Sequence, residues 1–208
     1  MDTREPTDAP LPVAGPVGLQ RIRHVVLLGL MGSGKTAVGR QLARELAVRF
    51  QDNDGRLAEA SGLTPRELRR REGEAALHAV EAHELLAALR EPRASVISAA
   101  ASVVESEGCR AAMRDPGICA IWLRARAATI VMRFHNEPHR PVYSDDLDAF
   151  FQRQLTVRAP LYLEVADSAV DVDHLSVDDL VEQTLTIVQA HETARFPTGL
   201  PGDQAPRP

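Results

Sequence analysis

One stretch constrains this chain more than any other: His24 to Arg40, reading HVVLLGLMGSGKTAVGR. Its first part, His24 to Gly29, is a run of branched apolar residues with the character of a strand buried on both faces. Gly29-Leu-Met-Gly-Ser-Gly-Lys35-Thr36 follows and fits G-x-x-x-x-G-K-[ST], and from Ala37 to Leu46 apolar residues recur at helical spacing. Strand, glycine loop and helix, in that order, are the context this spacing requires. The glycines let consecutive backbone N–H groups turn inward as a cradle for phosphate oxygens, and the helix N-terminus adds the positive end of its dipole. Lys35 brings a mobile point charge to the outer phosphates of a nucleotide, and the Thr36 hydroxyl is suited to Mg²⁺. With Gly29, Met31, Gly32, Ser33, Gly34 and Ala37, these two residues form a candidate ATP site. Lys35 is the sole lysine of the chain, every other basic position being arginine. A ligand-free turn between a core strand and a core helix leaves that single lysine unexplained.

The rest of the chain limits what such a loop serves. Its 208 residues suit one domain with a sizeable core. A net charge of −5 argues against a broad nucleic-acid footprint. No apolar run reaches membrane-spanning length, and the N-terminus lacks the apolar segment of a secretory signal. Cys109 and Cys119 form no metal-type pair, so a reduced, cytoplasmic setting without a disulfide is expected. Residues 1–20 and 193–208, rich in Pro and Gly, read as a disordered leader and tail around a folded domain at 21–192.

Within that domain strands and helices alternate. Further strands are expected at Leu46–Phe50, Ala94–Ser98, Gly117–Leu123 and Ser168–Val172. Helices are expected after a Thr64-Pro65-Arg66-Glu67 start, over Ala75–Leu89, over Arg124–Phe134, over Leu147–Ala166 with an interruption near Pro160, and from a Ser176 cap to about His191. This alternation predicts a three-layer α/β domain, a parallel five-stranded sheet flanked by helices. The polar stretch at about 135–146, with two prolines, suits neither element and is a lid candidate. Asp52 and Asp54, one residue apart at the end of the second strand, share an orientation if the strand persists. One then serves a metal-bound water and the other an acceptor; the same Asp-Asn-Asp-Gly is also good turn chemistry. His83 reads as an ordinary histidine with its partners satisfied.

From about residue 22 to 190 the chain resembles shikimate kinase, a small phosphate-loop kinase family. The elements that carry the resemblance come in the family's order: Gly29 to Gly39, Asp52-Asn-Asp54, Gly73-Glu74 opening a helix with Glu81, Arg140-Pro141, Arg158-Ala-Pro-Leu-Tyr162 and Val170-Asp171. The resemblance implies ATP and Mg²⁺ as cofactors and a small-molecule hydroxyl acceptor, with no nucleic acid or membrane partner and a monomeric state. It assigns Lys35 and the loop amides to the phosphates, Thr36 and Asp52 to the metal, and Asp54 to the acceptor hydroxyl. Arg133 would pack on adenine, Arg140 would close over the transferred phosphate, and Arg158 would grip a substrate carboxylate. Two positions depart from the family. His78 stands where a second carboxylate-gripping arginine is expected, and Ala99-Ala100-Ala101 replaces a glycine run whose backbone approaches the substrate. Shikimate, a different cyclitol, sugar or hydroxy acid, and a non-catalytic nucleotide-binding role all remain open at this level.

Overall fold

The computed structural model describes Leu19 and residues 21–135 and 146–196. Most of the leader, of the expected lid and of the tail, including Arg140 and Pro141, lies outside the described residues. Five strands, β1 (His24–Leu28), β2 (Arg49–Asp52), β3 (Ser95–Ser98), β4 (Ile118–Arg124) and β5 (Ser168–Asp171), form one all-parallel sheet in the order β2-β3-β1-β4-β5. All five residues of β1 and all four of β3 are buried, as the centre of a sheet covered on both faces must be. The connecting helices are α1 (Lys35–Glu45), α2 (Asn53–Ser61), α3 (Pro65–Glu72), α4 (Glu74–Leu89), α5 (Glu107–Met113), α6 (Ala127–His135), α7 (Leu147–Val165) and α8 (Val177–Arg195). The described residues thus form the expected flanked α/β sheet.

Two hydrophobic centres position the parts of the site. The main core runs through β1, β3 and β4 into α1, α7 and α8. A small second cluster, Leu57, Leu68 and Leu77 with Leu63 and Val80 against it, ties α2, α3 and α4 into a unit beside the sheet. Helix α1 lies very close to β2: a Cβ on Gly39 would sit 2.6 Å from Phe50 Cε2, so any side chain there would have to displace the Phe50 ring. Thr64 and Glu67 close a reciprocal capping box at the start of α3, with Pro65 in the first turn, as the sequence predicts.

Several elements differ from expectation for local reasons. β2 begins at Arg49, because Leu46 still caps α1 and Ala47 turns the chain at φ +53°. The strand does not persist through Asp54: Asp52 caps a new helix, and Asp54 belongs to its first turn. Arg124 and Arg126 are not on a helix. Arg124 ends β4 and pairs with Asp171, and Arg126 precedes α6 and donates to Asp173 Oδ2 at 2.8 Å. Helix α7 runs through Pro160 without a break. Pro160 and Thr156, one turn earlier, are both exposed, so the carbonyl that loses its amide partner faces water. On the other face Phe151, Arg158, Tyr162 and Val165 are buried and hold the axis. Helix α8 continues to Arg195, beyond His191 and three residues into the segment expected as tail. Cys109 and Cys119 are buried free thiols.

Candidate active site

The carboxyl ends of the parallel strands open into a cavity of about 1130 Å³. Its floor is the glycine loop between β1 and α1. Gly29, Gly32 and Gly34 have φ of +138°, +84° and +98°, the left-handed region that a side chain disfavours. A Cβ on Gly29 would also meet Leu123 O at 2.6 Å. Gly34 caps α1 without a side chain, so the helix N-terminus offers its amides to the cavity. Lys35 lies across the loop, donating to Gly29 O at 2.8 Å and to Leu30 O at 2.9 Å. Ser33 is buried beneath the loop, its Oγ without a hydrogen-bond partner. Met31, Gly32, Thr36 and Ala37 line the cavity directly.

Thr36 Oγ1 donates to Asp52 Oδ2 at 3.0 Å, and Ser98 Oγ lies 3.5 Å from the same hydroxyl. The β2–β3 register sets Asp52 directly beside Ser98, so sheet geometry brings these oxygens together. Two hydroxyls and a carboxylate form an all-oxygen donor set of the kind Mg²⁺ takes. Asp52 Oδ1 also accepts the Asp54 amide at 3.3 Å, which directs Asp54 into the cavity from the first turn of α2. Solvent reaches Asp54, but the surrounding walls raise its pKa above the ordinary 3.8; the Asp52 charge adds to the rise and Lys35 opposes it.

Further along, Glu81 projects from α4. Burial raises its pKa to about 7, opposed by the hydrogen bond from Ser102 Oγ and reinforced by Asp54. Ala99, Ala100 and Ala101 form part of the wall. Among the described residues Ala47 is the only non-glycine with positive φ, so the alanine run needs no left-handed backbone and carries its methyl groups without strain. Tyr162 fixes this wall. Its hydroxyl donates to Ala101 O at 2.9 Å, and its ring stacks on Trp122 at 5.4 Å between centroids. One turn earlier, Arg158 lines the cavity and donates through Nε to Glu105 Oε1 at 2.7 Å. His78 also lines the cavity. Its Nδ1 is 3.4 Å from Glu105 Oε2, and its Nε2 is 3.7 Å from Glu74 Oε1. At the opposite end, Arg133 donates to Gly32 O at 3.0 Å and Val172 O at 3.2 Å, holding its planar group beside the glycine loop.

Nearly every described candidate from the sequence therefore faces one cavity; Gly29 and Ser33 support it from beneath, and Arg140 lies outside the described residues. His83 is exposed and away from it. Sequence reasoning missed Ser98, Ser102 and Glu105. A position at the end of a parallel strand was the available signal for Ser98. For the others the relevant contacts cross between elements and leave no local pattern.

A family model described as shikimate kinase matches residues 31–189. A shikimate kinase of Bordetella pertussis is 33% identical over 169 residues, covering 81% of this chain and 79% of that protein. A shikimate kinase of Geobacter sulfurreducens is 31% identical, covering 82% and 93% respectively. Among solved structures, shikimate kinase from Acinetobacter baumannii in complex with shikimate has a TM-score of 0.76 at 24% identity, covering 82% of this chain and 95% of that one. A gluconokinase from Sinorhizobium meliloti shares the fold with a TM-score of 0.53 at 20% identity, covering 86% and 100%.

Proposed function

Since the chain belongs to the shikimate kinase family of phosphotransferases, we propose that it transfers the γ-phosphoryl group of ATP to a hydroxyl of shikimate. One observation carries this reading: a single cavity joins the glycine cradle and Lys35 to Asp54 and then to Arg158. These are the parts needed for a phosphate donor, a hydroxyl and a carboxylate, in that order.

Catalysis here is mainly positioning and charge neutralisation. The loop amides and the α1 N-terminus hold the phosphates. Lys35, now on two carbonyl oxygens of the loop, is drawn to the outer phosphates by the stronger charge-assisted bond. Thr36 and Asp52 would hold Mg²⁺, which would supply neutralisation of the phosphate charge. Arg133 would lie against the adenine ring. Asp54 accepts the acceptor hydroxyl's hydrogen bond and draws off its proton as the new O–P bond forms. Its raised pKa makes it a stronger base than an ordinary aspartate. Arg158 offers a planar fork to the substrate carboxylate. Arg140 is assigned by resemblance to the charge on the transferred group.

The test is ADP release by the purified chain with Mg-ATP and a panel of shikimate, gluconate and neutral polyols. Shikimate-dependent release that exceeds the others supports the reading. Release with another acceptor and none with shikimate would replace it, and no acceptor-dependent release at all would leave a nucleotide-binding module.

A further inference from the structure

We propose that Cys119, Asp167 and His191 form a second metal site, suited to a zinc-type divalent ion, at the amino end of the sheet. Cys119 is the second residue of β4, Asp167 immediately precedes β5, and His191 lies near the end of α8. The candidate active site lies at the carboxyl ends of the strands, so this group is a separate place in the fold. Its three ligand atoms, a sulfur, a carboxylate oxygen and a ring nitrogen, lie within 4.8 Å of one another. Such a mixed set suits Zn²⁺, and ligand atoms about 2.0–2.3 Å from a tetrahedral ion stand roughly 3.3–3.8 Å apart. His191 Nδ1 and Asp167 Oδ1 are 3.6 Å apart.

His191 points to a ligand independently of that spacing. Its side chain is 8% exposed, yet Nε2 is buried with no hydrogen-bond partner, and Nδ1 faces Asp167 from too far for a hydrogen bond. A buried imidazole left in this way carries a desolvation cost that coordination to a cation offsets. Asp167 is already oriented for the role: Oδ2 accepts the Ala120 amide at 2.8 Å, and Oδ1 is turned to His191. Asp167 also reaches solvent and gives the ion a way in. One cation competes for it, since Arg195 Nη2 lies 3.3 Å from Asp167 Oδ1. The Arg195 side chain is 43% exposed, so it can swing outward when the ion takes that oxygen. Cys119 is fully buried, and burial with the Asp167 charge pushes its thiol up to about 12, which denies it the role of a free nucleophile. The ion would take its sulfur as thiolate, the displaced proton leaving to solvent. The ordinary alternative is an ion cluster of Asp167, His191 and Arg195 over a core cysteine, and it predicts no metal affinity.

The experiment is titration of the full chain, freed of metal by a chelator and without nucleotide, with Co²⁺ as a spectroscopic stand-in and then with Zn²⁺. One equivalent of Co²⁺ should give a near-ultraviolet sulfur-to-cobalt charge-transfer band that Zn²⁺ bleaches. The band should persist in Cys109→Ser and vanish in Cys119→Ser. Asp167→Asn, which still accepts from the Ala120 amide, should weaken Zn²⁺ binding at least tenfold by calorimetry. Zn²⁺ should raise the Tm of wild type by several degrees, because it ties α8 to β4 and β5, and leave that of Cys119→Ser unchanged. No cobalt–thiolate band in wild type, or the same band in Cys119→Ser, overturns the inference. Should Cys119→Ser fail to fold, Zn²⁺ affinity unchanged in Asp167→Asn overturns it as well. None of these readouts depends on turnover of shikimate.

Discussion

Asp54 and Glu81 are two acids that line one cavity, and the proposed chemistry calls only on Asp54. Asp54→Asn keeps the shape and hydrogen-bonding capacity of the side chain but removes the base. The turnover number should fall by about a hundredfold or more, with Mg-ADP affinity by calorimetry nearly unchanged. Wild-type turnover in that variant contradicts the role assigned to Asp54. Glu81 makes a stability prediction. Its folded pKa of about 7 lies above the ordinary 4.5, so the folded state keeps a proton that the unfolded chain releases first. The stabilisation from this proton is complete below 4.5 and is lost as pH rises through about 7. A shift of that size corresponds to an upper bound of roughly 3 to 4 kcal/mol. Glu81→Gln still accepts from Ser102 and cannot ionise. Denaturant titrations at about pH 5 and about pH 7.5 should show wild type losing ground to the variant at the higher pH. Equal differences at the two pH values would mean that Glu81 is not held protonated.

Helix α7 links chemistry to packing. Arg158 and Tyr162 are one turn apart, so a single helical face presents an arginine to the cavity and a hydroxyl to the alanine wall. Tyr162→Phe removes the bond to Ala101 O and leaves a half-buried carbonyl short of a donor. Stability should fall by about 1–2 kcal/mol, measured by urea unfolding, and the KM for shikimate should rise because the wall loosens. Unchanged stability would mean the bond is not made in solution. The extent of this helix also shows how elements were legible. Its extent from Leu147 is readable locally, but its continuity through Pro160 depends on which side faces water, a property of the packed molecule. Asp52 and Asp54 show the same division. Their residue types announce a polar functional corner, whereas their geometry depends on Asp52 acting as a helix cap rather than continuing the strand.

At the scale of the whole molecule, the sheet and its helices were legible because buried strands and capped helices are written in short runs of neighbouring residues. The phosphate half of the candidate site was legible for the same reason: His24 to Arg40 contains strand, loop and helix in one segment. The acceptor half was read less completely. Arg69, Glu74, His78, Glu105 and Arg158 come from α3, α4, the turn before α5 and α7, and only folding makes them neighbours. The small core that packs α2, α3 and α4 together places Arg69, Glu74 and His78, while Glu105 and Arg158 are placed by the main core through Val104, Phe151 and Tyr162, and no single segment encodes either. In the proposed reaction one cavity carries a phosphoryl group from a nucleotide to a hydroxyl beside Asp54. The most direct measurement is phosphorus NMR of a reaction containing the full chain, Mg-ATP and shikimate. The account predicts a new phosphate-monoester resonance coupled to a shikimate ring proton, appearing as the γ-phosphate signal declines, and absent with Lys35→Ala. Loss of the γ-phosphate to inorganic phosphate alone, or an unchanged spectrum from protein that binds Mg-ATP, would contradict it.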